Sequence, residues 1–322
     1  MRQKGFSLIE LMVALVLGLL IVQAALSLFL SSSRNYGQDQ KIAALQDEMR
    51  FAIAQLTQDV EMAGFWAPLL NPGNITLHAD LTIGSDCGPT AVTRWMYTDL
   101  TPLAALDNVV SASAAAAGFQ CIASSEIKLD TDVLSIKRVA GINMVGQTLN
   151  ANQIYLDANA SSGTLFKQPA TGLGTTLANV WAYQPVIYFI RPYSVRADEN
   201  PLVPALCRKY LLSGPSTAPT MSTECIASGV EDFQVEFGID SNADGAVESF
   251  LSSPTATQLG QTSLLRVSLL IRSSSADNGY SNAKTYTLGN KAAFTPADKY
   301  YRRVISSVIA LRNPLALRVL NQ

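Results

Sequence analysis

Charged residues and histidine are scarce in this sequence. Asp, Glu, Lys and Arg make up 15% of the 322 residues, and the formal net charge is -2. Because Lys and Arg carry most of the affinity for a phosphate backbone, this composition argues against a nucleic-acid partner. The single histidine, His78, excludes any site that needs two. Beside Asp80 in a predicted loop, it is expected to be solvated rather than catalytic.

The motifs of common catalytic sites are also absent. The sequence contains no G-x-S-x-G elbow, no Walker loop and no dinucleotide-binding glycine pattern. We therefore expect that the protein is not an enzyme. With 48% apolar residues the chain can nevertheless bury a substantial core, so it is expected to be folded rather than disordered.

None of the four cysteines belongs to a C-x-x-C pair of the kind that binds zinc or performs redox chemistry. They are Cys87, Cys121, Cys207 and Cys225. Two structural disulfides are expected, and of the three possible pairings the spacing favours the local one, Cys87 with Cys121 and Cys207 with Cys225. Each would contribute about 2–4 kcal/mol. Four buried thiols in a reducing compartment are the alternative.

Apolar side chains are abundant at the N-terminus. Residues 1–5 read MRQKG, and residues 6–30 are almost wholly apolar apart from Glu10. The uncharged run over residues 11–33 can cross a hydrocarbon core of about 30 Å at about 1.5 Å per residue. Arg2 and Lys4 favour a cytoplasmic start. The sequence predicts one membrane-spanning helix over residues 6–30, followed by a periplasmic chain.

Glu10 is the one charge within this apolar segment. A carboxylate at the centre of a membrane helix costs about 2.5–3.5 kcal/mol, so it needs a partner or a function. If the chain is cut after Gly5, the new amine of Phe6 on a neighbouring subunit can pair with Glu10. The alternative is that Glu10 lies near enough to the helix end to reach the membrane interface alone.

The string K-G-F-S-L-I-E-L, residues 4–11, resembles the class III signal of type IV prepilins and type II secretion pseudopilins. The resemblance implies cleavage after Gly5 by a prepilin peptidase, N-methylation of Phe6, and use of Glu10 for docking into a growing filament. Where major pilins of this family often carry a glycine and a proline, this chain has Leu19 and Ser27. A more continuous helix is therefore expected, and a role as the principal filament subunit is disfavoured.

An amphipathic second half of the same helix is predicted over residues 34–62. Apolar residues recur there at steps of three and four, with charged residues at other positions. The apolar series is Ile42, Leu45, Met49, Ile53, Leu56 and Val60. Ala63, Gly64 and Pro68 are expected to end the helix near residue 62. A short coiled-coil seam is the alternative interpretation of this stripe.

Beyond the helix the hydrophobic period changes to two, which indicates strands. Predicted strands cover residues 127–138, 186–190, 230–239, 264–272, 284–288 and 303–311. The predicted fold is α+β and type IV pilin-like, with the long N-terminal helix packed on an antiparallel β-sheet. The head is expected to be a single β-rich domain over residues 63–322.

Four further segments resemble PilW-type minor pilins. They are residues 50–65, 131–134, 229–238 and 311–313. The resemblance implies a minor pilin that assembles with other minor pilins and the major pilin on an inner-membrane platform and primes the pilus. It would then reach the extracellular tip, where an adhesin is a further possible partner. The alternatives are a type II secretion pseudopilin, a pilus-borne adhesin and a membrane-tethered periplasmic enzyme.

Residues 240–245, D-S-N-A-D-G, match the start of a calcium loop, in which alternate oxygen-bearing side chains converge on one ion. The position of the final bidentate Glu holds Leu251, so a nearby acid or a backbone carbonyl would have to complete the site. The alternative is a tight hairpin with a type I′ turn at Asp244 and Gly245. The expected calcium ligands are Asp240, Asn242, Asp244 and Glu248.

Overall fold

The computed structural model describes residues 5, 7–83, 86–88, 95–96, 100–111, 118–168, 179–214 and 217–313. Phe6 and residues 1–4 of the predicted leader lie outside this part of the chain. The chain divides into two compact units, Met1–Gln46 and Asp47–Gln322.

Helix α1, Leu8–Glu61, is the long N-terminal helix that the sequence predicts. It passes Leu19 and Ser27 without a break, in agreement with the absence of proline. The hydroxyl of Ser27 donates to the carbonyl oxygen of Ala24 at 2.8 Å, so this polar group is satisfied within the helix.

In the first unit, α1 exposes an unbroken apolar surface. Every residue from Leu8 to Leu30 is exposed, and the most apolar stretch of the helix has a mean hydropathy of 2.6. By length and composition the helix can cross a membrane. An apolar surface of this size requires lipid or protein partners.

In the second unit, the end of α1 is amphipathic as predicted. Met49, Leu56 and Val60 are buried, whereas Arg50 and Phe51 are exposed. Gly64 follows the helix with φ of 71°, a left-handed conformation that is typical of a helix terminator. Its N–H donates to the carbonyl oxygen of Lys137 at 3.1 Å and so joins the chain leaving the helix to the β-rich part of the unit.

Among the described residues, the β-rich part of the second unit contains short and long strands, a 3-10 turn and a short helix after α1. A 3-10 turn spans Pro72–Asn74, and helix α2 spans Ala256–Gly260. The described strands are β1 (Ile75–Leu77), β2 (Leu103–Leu106), β3 (Val133–Ile136), β4 (Val139–Asn143), β5 (Ile154–Ala158), β6 (Gly163–Lys167), β7 (Val180–Tyr183), β8 (Val186–Arg191), β9 (Ala205–Gly214), β10 (Thr217–Ser228), β11 (Val230–Ile239), β12 (Ser249–Leu251), β13 (Thr262–Arg272) and β14 (Arg302–Ala310).

The strands form three sheets rather than the single sheet that the sequence suggests. Their orders are β1-β6-β5-β7-β4, β10-β9-β8-β3-β2 and β12-β11-β13-β14. The pairings are antiparallel, as expected, except that β1 lies parallel to β6. The α+β class with a long N-terminal helix and antiparallel sheets is therefore confirmed, while the number of sheets is a correction.

The middle strands of the second sheet, β3 and β8, are buried in the core. All four residues of β3 are buried, and so are the first five of the six residues of β8. A strand buried on both faces must be covered on both sides, and both β11 and the end of α1 contact β8. The buried side chains include Tyr188 and Phe189 of β8. These two aromatic side chains of β8 therefore belong to the core.

Candidate functional site

The first turn of α1 is held by a reciprocal pair of hydrogen bonds between Ser7 and Glu10. The backbone N–H of Glu10 donates to the Ser7 hydroxyl oxygen at 3.3 Å, and the N–H of Ser7 donates to Oε2 of Glu10 at 2.9 Å. The Ser7 hydroxyl also donates to Oε2 at 3.0 Å. This arrangement is a capping box, which the S-x-x-E spacing of residues 7–10 signals in the sequence but which our sequence analysis missed.

The capping box leaves half of the Glu10 carboxylate available. Both bonds from Ser7 reach Oε2, and among the described residues none donates to Oε1. No Lys or Arg in the described part of the chain forms an ion pair with Glu10. The helix N-terminus partly compensates a negative charge, but an amine from another chain would still find an unshared oxygen here.

Asp59 joins the end of α1 to the sheets. Its Oδ1 accepts hydrogen bonds from Nε and Nη2 of Arg138 at 3.1 and 2.7 Å, and its Oδ2 accepts one from the Tyr188 hydroxyl at 2.5 Å. The Asp59 and Arg138 side chains are 8% and 12% exposed. Burial and the neighbouring Asp59 charge raise the pKa of Tyr188 well above its usual value. Sequence analysis placed Asp59 off the apolar stripe and did not foresee its burial.

Two of the segments that resemble PilW-type pilins meet where α1 ends. The Arg312 side chain pairs with Oε2 of Glu61 at 2.7 Å, and the Asn313 side-chain amide donates to the carbonyl oxygen of Ala63 at 3.2 Å. The two segments, which are far apart in sequence, are therefore neighbours in the structure. The carbonyl groups of Glu61 and Ala63, at and just after the end of α1, accept hydrogen bonds from Arg312 and Asn313.

The other two such segments meet at Asp132. Its N–H donates to the carbonyl oxygen of Phe233 at 2.9 Å, and its carboxylate accepts from the N–H groups of Asn108 and Val235 at 2.8 and 2.7 Å. Burial raises the pKa of Asp132 to about 7, although the two backbone donors act in the opposite direction. Asp132 thus links the start of β3 to the middle of β11.

The structure contains the two local disulfides that the spacing predicts. Cys87 is bonded to Cys121, and Cys207 to Cys225. The second bridge joins directly opposite residues of β9 and β10. The first joins two residues that lie outside the described strands. Both bridges are consistent with folding in an oxidising compartment.

The acidic loop, residues 240–248, connects β11 to β12. Ile239 pairs with Ser249, and positive φ angles occur at Ala243 and Gly245 but not at Asp244. A type I′ turn needs positive φ at two successive residues, so the tight hairpin at Asp244 and Gly245 is not formed. A wider nine-residue loop takes its place.

Three acids converge within the acidic loop. A carboxylate oxygen from each of Asp240, Asp244 and Glu248 lies within 4.8 Å of the other two. The predicted ligand Asn242 takes part in the loop's own hydrogen bonds. Its amide oxygen accepts from the N–H of Asp244 at 2.9 Å, and its amide nitrogen donates to Oδ2 of Asp244 at 3.0 Å.

Comparisons with known proteins agree with these features. Residues 187–313 match the family Type IV Pilus-assembly protein W, PilW, and residues 1–25 match the prokaryotic N-terminal methylation motif. The pilin-like protein PilA3 of Thermus thermophilus is 30% identical over 109 residues. That match covers 32% of this chain and 45% of PilA3, so the chain spans less than half of that relative.

A solved structure, a type IV-like pilin from Thermus thermophilus, aligns with a TM-score of 0.38 and 12% identity. The alignment covers 84% of this chain and 98% of that pilin. A similarity of this size supports no conclusion by itself.

The apolar N-terminal helix and the match to the methylation motif are features that this chain shares with type IV pilin-like proteins. Residues 187–313 are similar to the PilW family, in agreement with the resemblance of the sequence, and this match spans less than half of the chain. Gly5, Phe6 and Glu10 all lie within the residues that match the methylation motif. Of these three, Phe6 lies outside the described residues.

Proposed function

We propose that this protein is a minor pilin that primes type IV pilus assembly and is carried at or near the pilus tip. The PilW domain together with the methylation motif is the observation that supports this proposal most strongly. In this function the chain binds other subunits and performs no catalysis. Its partners are other minor pilins, the major pilin, an inner-membrane assembly platform and, at the tip, an adhesin.

The first step of the proposed mechanism is processing. The chain inserts into the inner membrane with residues 1–5 in the cytoplasm and its head in the periplasm. A prepilin peptidase then cleaves after Gly5 and methylates the new amine of Phe6. The exposed apolar surface of α1 requires partners, which neighbouring pilin helices would supply inside the filament.

The second step is selection of register. In the apolar interior of a helix bundle, an uncompensated carboxylate is costly, and a protonated amine from the adjacent subunit compensates it. The unshared Oε1 of Glu10 is the atom that we assign to this contact. The capping box holds Oε2 and thereby fixes the orientation of the carboxylate before the partner arrives.

The capping box allows a test that separates the two roles of Glu10, which are to cap the helix and to pair with an amine. Gln can replace Glu in a capping box, so Glu10→Gln keeps the cap and removes the charge. Ser7→Ala removes the cap and keeps the charge. If Glu10 acts by pairing with an amine, we expect Glu10→Gln to lose incorporation into sheared pili while Ser7→Ala incorporates nearly as wild type.

The experiment measures processing and incorporation separately. Immunoblots of membranes report cleavage, and immunoblots of sheared pili report incorporation, each in a strain that lacks the wild-type chain. Normal incorporation of processed Glu10→Gln would contradict the pairing. Deletion of the chain should reduce piliation. Normal piliation with lost attachment would favour an adhesin instead, and co-purification with secretion pseudopilins would favour the secretion system.

A further inference from the structure

We propose that the acidic loop, residues 240–248, is a calcium site of the head, with Asp240, Asp244 and Glu248 as its protein ligands. This inference does not depend on the proposed function in pilus assembly. It rests on the convergence of the three carboxylates and, independently, on the state of the Asp240 side chain.

The convergence brings together like charges. The three carboxylates lie within 4.8 Å of one another, and no Lys or Arg in the described ranges of the chain forms an ion pair with any of them. Like charges at such distances repel one another. A bound divalent ion would remove that repulsion.

Asp240 supplies the second observation. Its residue is 4% exposed, and its Oδ1 is buried without a hydrogen-bond partner among the described residues. Its Oδ2 accepts from the N–H of Gly245 at 3.1 Å. Buried polar atoms in proteins almost always have partners, so an unpartnered carboxylate oxygen beside two further acids is the arrangement expected of a metal ligand.

The distances and the ligand types favour calcium over other divalent ions. Two oxygens on opposite sides of a calcium ion, each about 2.3–2.6 Å from it, are about 4.6–5.2 Å apart, which accommodates the observed spacing. Zinc prefers nitrogen and sulfur ligands, and this loop has no His or Cys. Magnesium requires a stricter octahedron and keeps more of its water.

Water and backbone carbonyl groups would complete the coordination, because Asp244 and Glu248 are exposed. A site with three carboxylates and open positions should be weak. We expect a dissociation constant of about 10⁻⁴–10⁻³ M, as in extracellular calcium modules. The bound ion would join the two ends of the loop, since Asp240 follows β11 and Glu248 precedes β12.

The test uses the full-length chain in detergent micelles, with calcium chloride, magnesium chloride or a chelator. At a calcium concentration of about ten times the dissociation constant, the midpoint of thermal unfolding of the wild type should rise by roughly 2–4 °C. Calorimetric titration should show one calcium per chain. Magnesium at the same concentration should give a smaller shift.

Asp240→Asn keeps an acceptor for the Gly245 N–H and removes the charge. We expect at least a tenfold loss of calcium affinity and a midpoint in chelator that is no lower than that of the wild type. Asp198→Asn is the matched control, because Asp198 is an exposed acid paired with Arg196, and it should keep the calcium response.

Asp244 and Glu248 are exposed and provide a second set of variants. If Asp240→Asn does not fold, Asp244→Asn and Glu248→Gln should each weaken calcium binding. The absence of any binding heat and shift in the wild type would overturn the proposal. Equal calcium affinity in all variants would also overturn it, and an equal response to magnesium would overturn the assignment to calcium.

Discussion

The carboxylate of Asp132 accepts a hydrogen bond at 2.7 Å from the backbone N–H of Val235, 103 residues further along the chain. The N–H of Asp132 donates in turn to the carbonyl oxygen of Phe233 at 2.9 Å. One side chain and its own backbone therefore fix the position of β11 relative to the start of β3. Because β11 continues into the acidic loop, the same contact supports the base of that loop.

The raised pKa of Asp132 predicts a pH-dependent stability. The folded state holds a proton on Asp132 up to about pH 7, whereas the unfolded state releases it near pH 3.9. The folded state therefore binds more protons between these values, and stability falls as the pH rises through this range. Denaturant titrations of the full chain at pH 5 and pH 8 should show this loss, on the order of 2 kcal/mol.

Asp132→Asn should remove the part of the pH dependence that comes from the Asp132 carboxyl group, whether or not the substitution changes the overall stability of the protein. Asp198→Asn serves as the control and should keep the slope of the wild type, since Asp198 is 71% exposed. Equal slopes in the wild type and Asp132→Asn would show that Asp132 is ionised throughout and that the two backbone donors outweigh its burial.

Arg138→Met tests the buried ion pair at the end of α1. The substitution leaves Asp59 buried with Tyr188 as its remaining donor among the described residues, so we expect a loss of about 3–5 kcal/mol in the free energy of unfolding. Arg196→Met removes an exposed pair and should cost about 0–1 kcal/mol. Similar losses for the two variants, measured by denaturant titration, would contradict a structural role for the buried pair.

Gly229 provides a matched test of backbone geometry. It connects β10 to β11 with φ of 81°, and an added Cβ would lie 2.5 Å from the carbonyl oxygen of Arg272. Gly146 has φ of 74° but open space around its missing Cβ. At both positions alanine must adopt a positive φ, which lowers the stability of the folded state. Gly229→Ala must also displace the Arg272 carbonyl, so we expect its free energy of unfolding to fall by about 1–3 kcal/mol more than that of Gly146→Ala. Equal stabilities would indicate that β13 moves away freely.

Local patterns were sufficient to predict much of the fold. The apolar run and the later stripe predicted α1, and the alternation of apolar residues predicted β11 with both of its ends. The spacing of the cysteines favoured the pairing that the structure contains. These features depend on neighbours in sequence, for which periodicity is informative.

Features that depend on distant residues were not predicted. Asp59 is buried because Arg138 and Tyr188 reach it from other elements, and an off-stripe acid gives no local sign of this. Residues 284–288 have a strand pattern but form only an isolated bridge between Tyr286 and Phe294. The predicted strand over residues 127–138 is confined to Val133–Ile136. Pairing partners decide strand formation, and a single sequence does not name them.

The candidate site was also predicted unevenly, although its signals are local. Glu10 and the acidic loop were found from short motifs, whereas the capping box at Ser7 was missed although its S-x-x-E signal is local. Glu10 can both cap its own helix and pair with another chain, and the leader motif indicates only the second of these contacts.

Mass spectrometry of the N-terminus of the protein isolated from sheared native pili tests the proposed function most directly. We expect the mature chain to begin at Phe6 with one methyl group on its amine, and we expect residues 1–5 to be absent from the pilus fraction. A filament-associated chain that still begins at Met1 would contradict processing after Gly5, and with it the pairing of Glu10 with a neighbouring Phe6 amine.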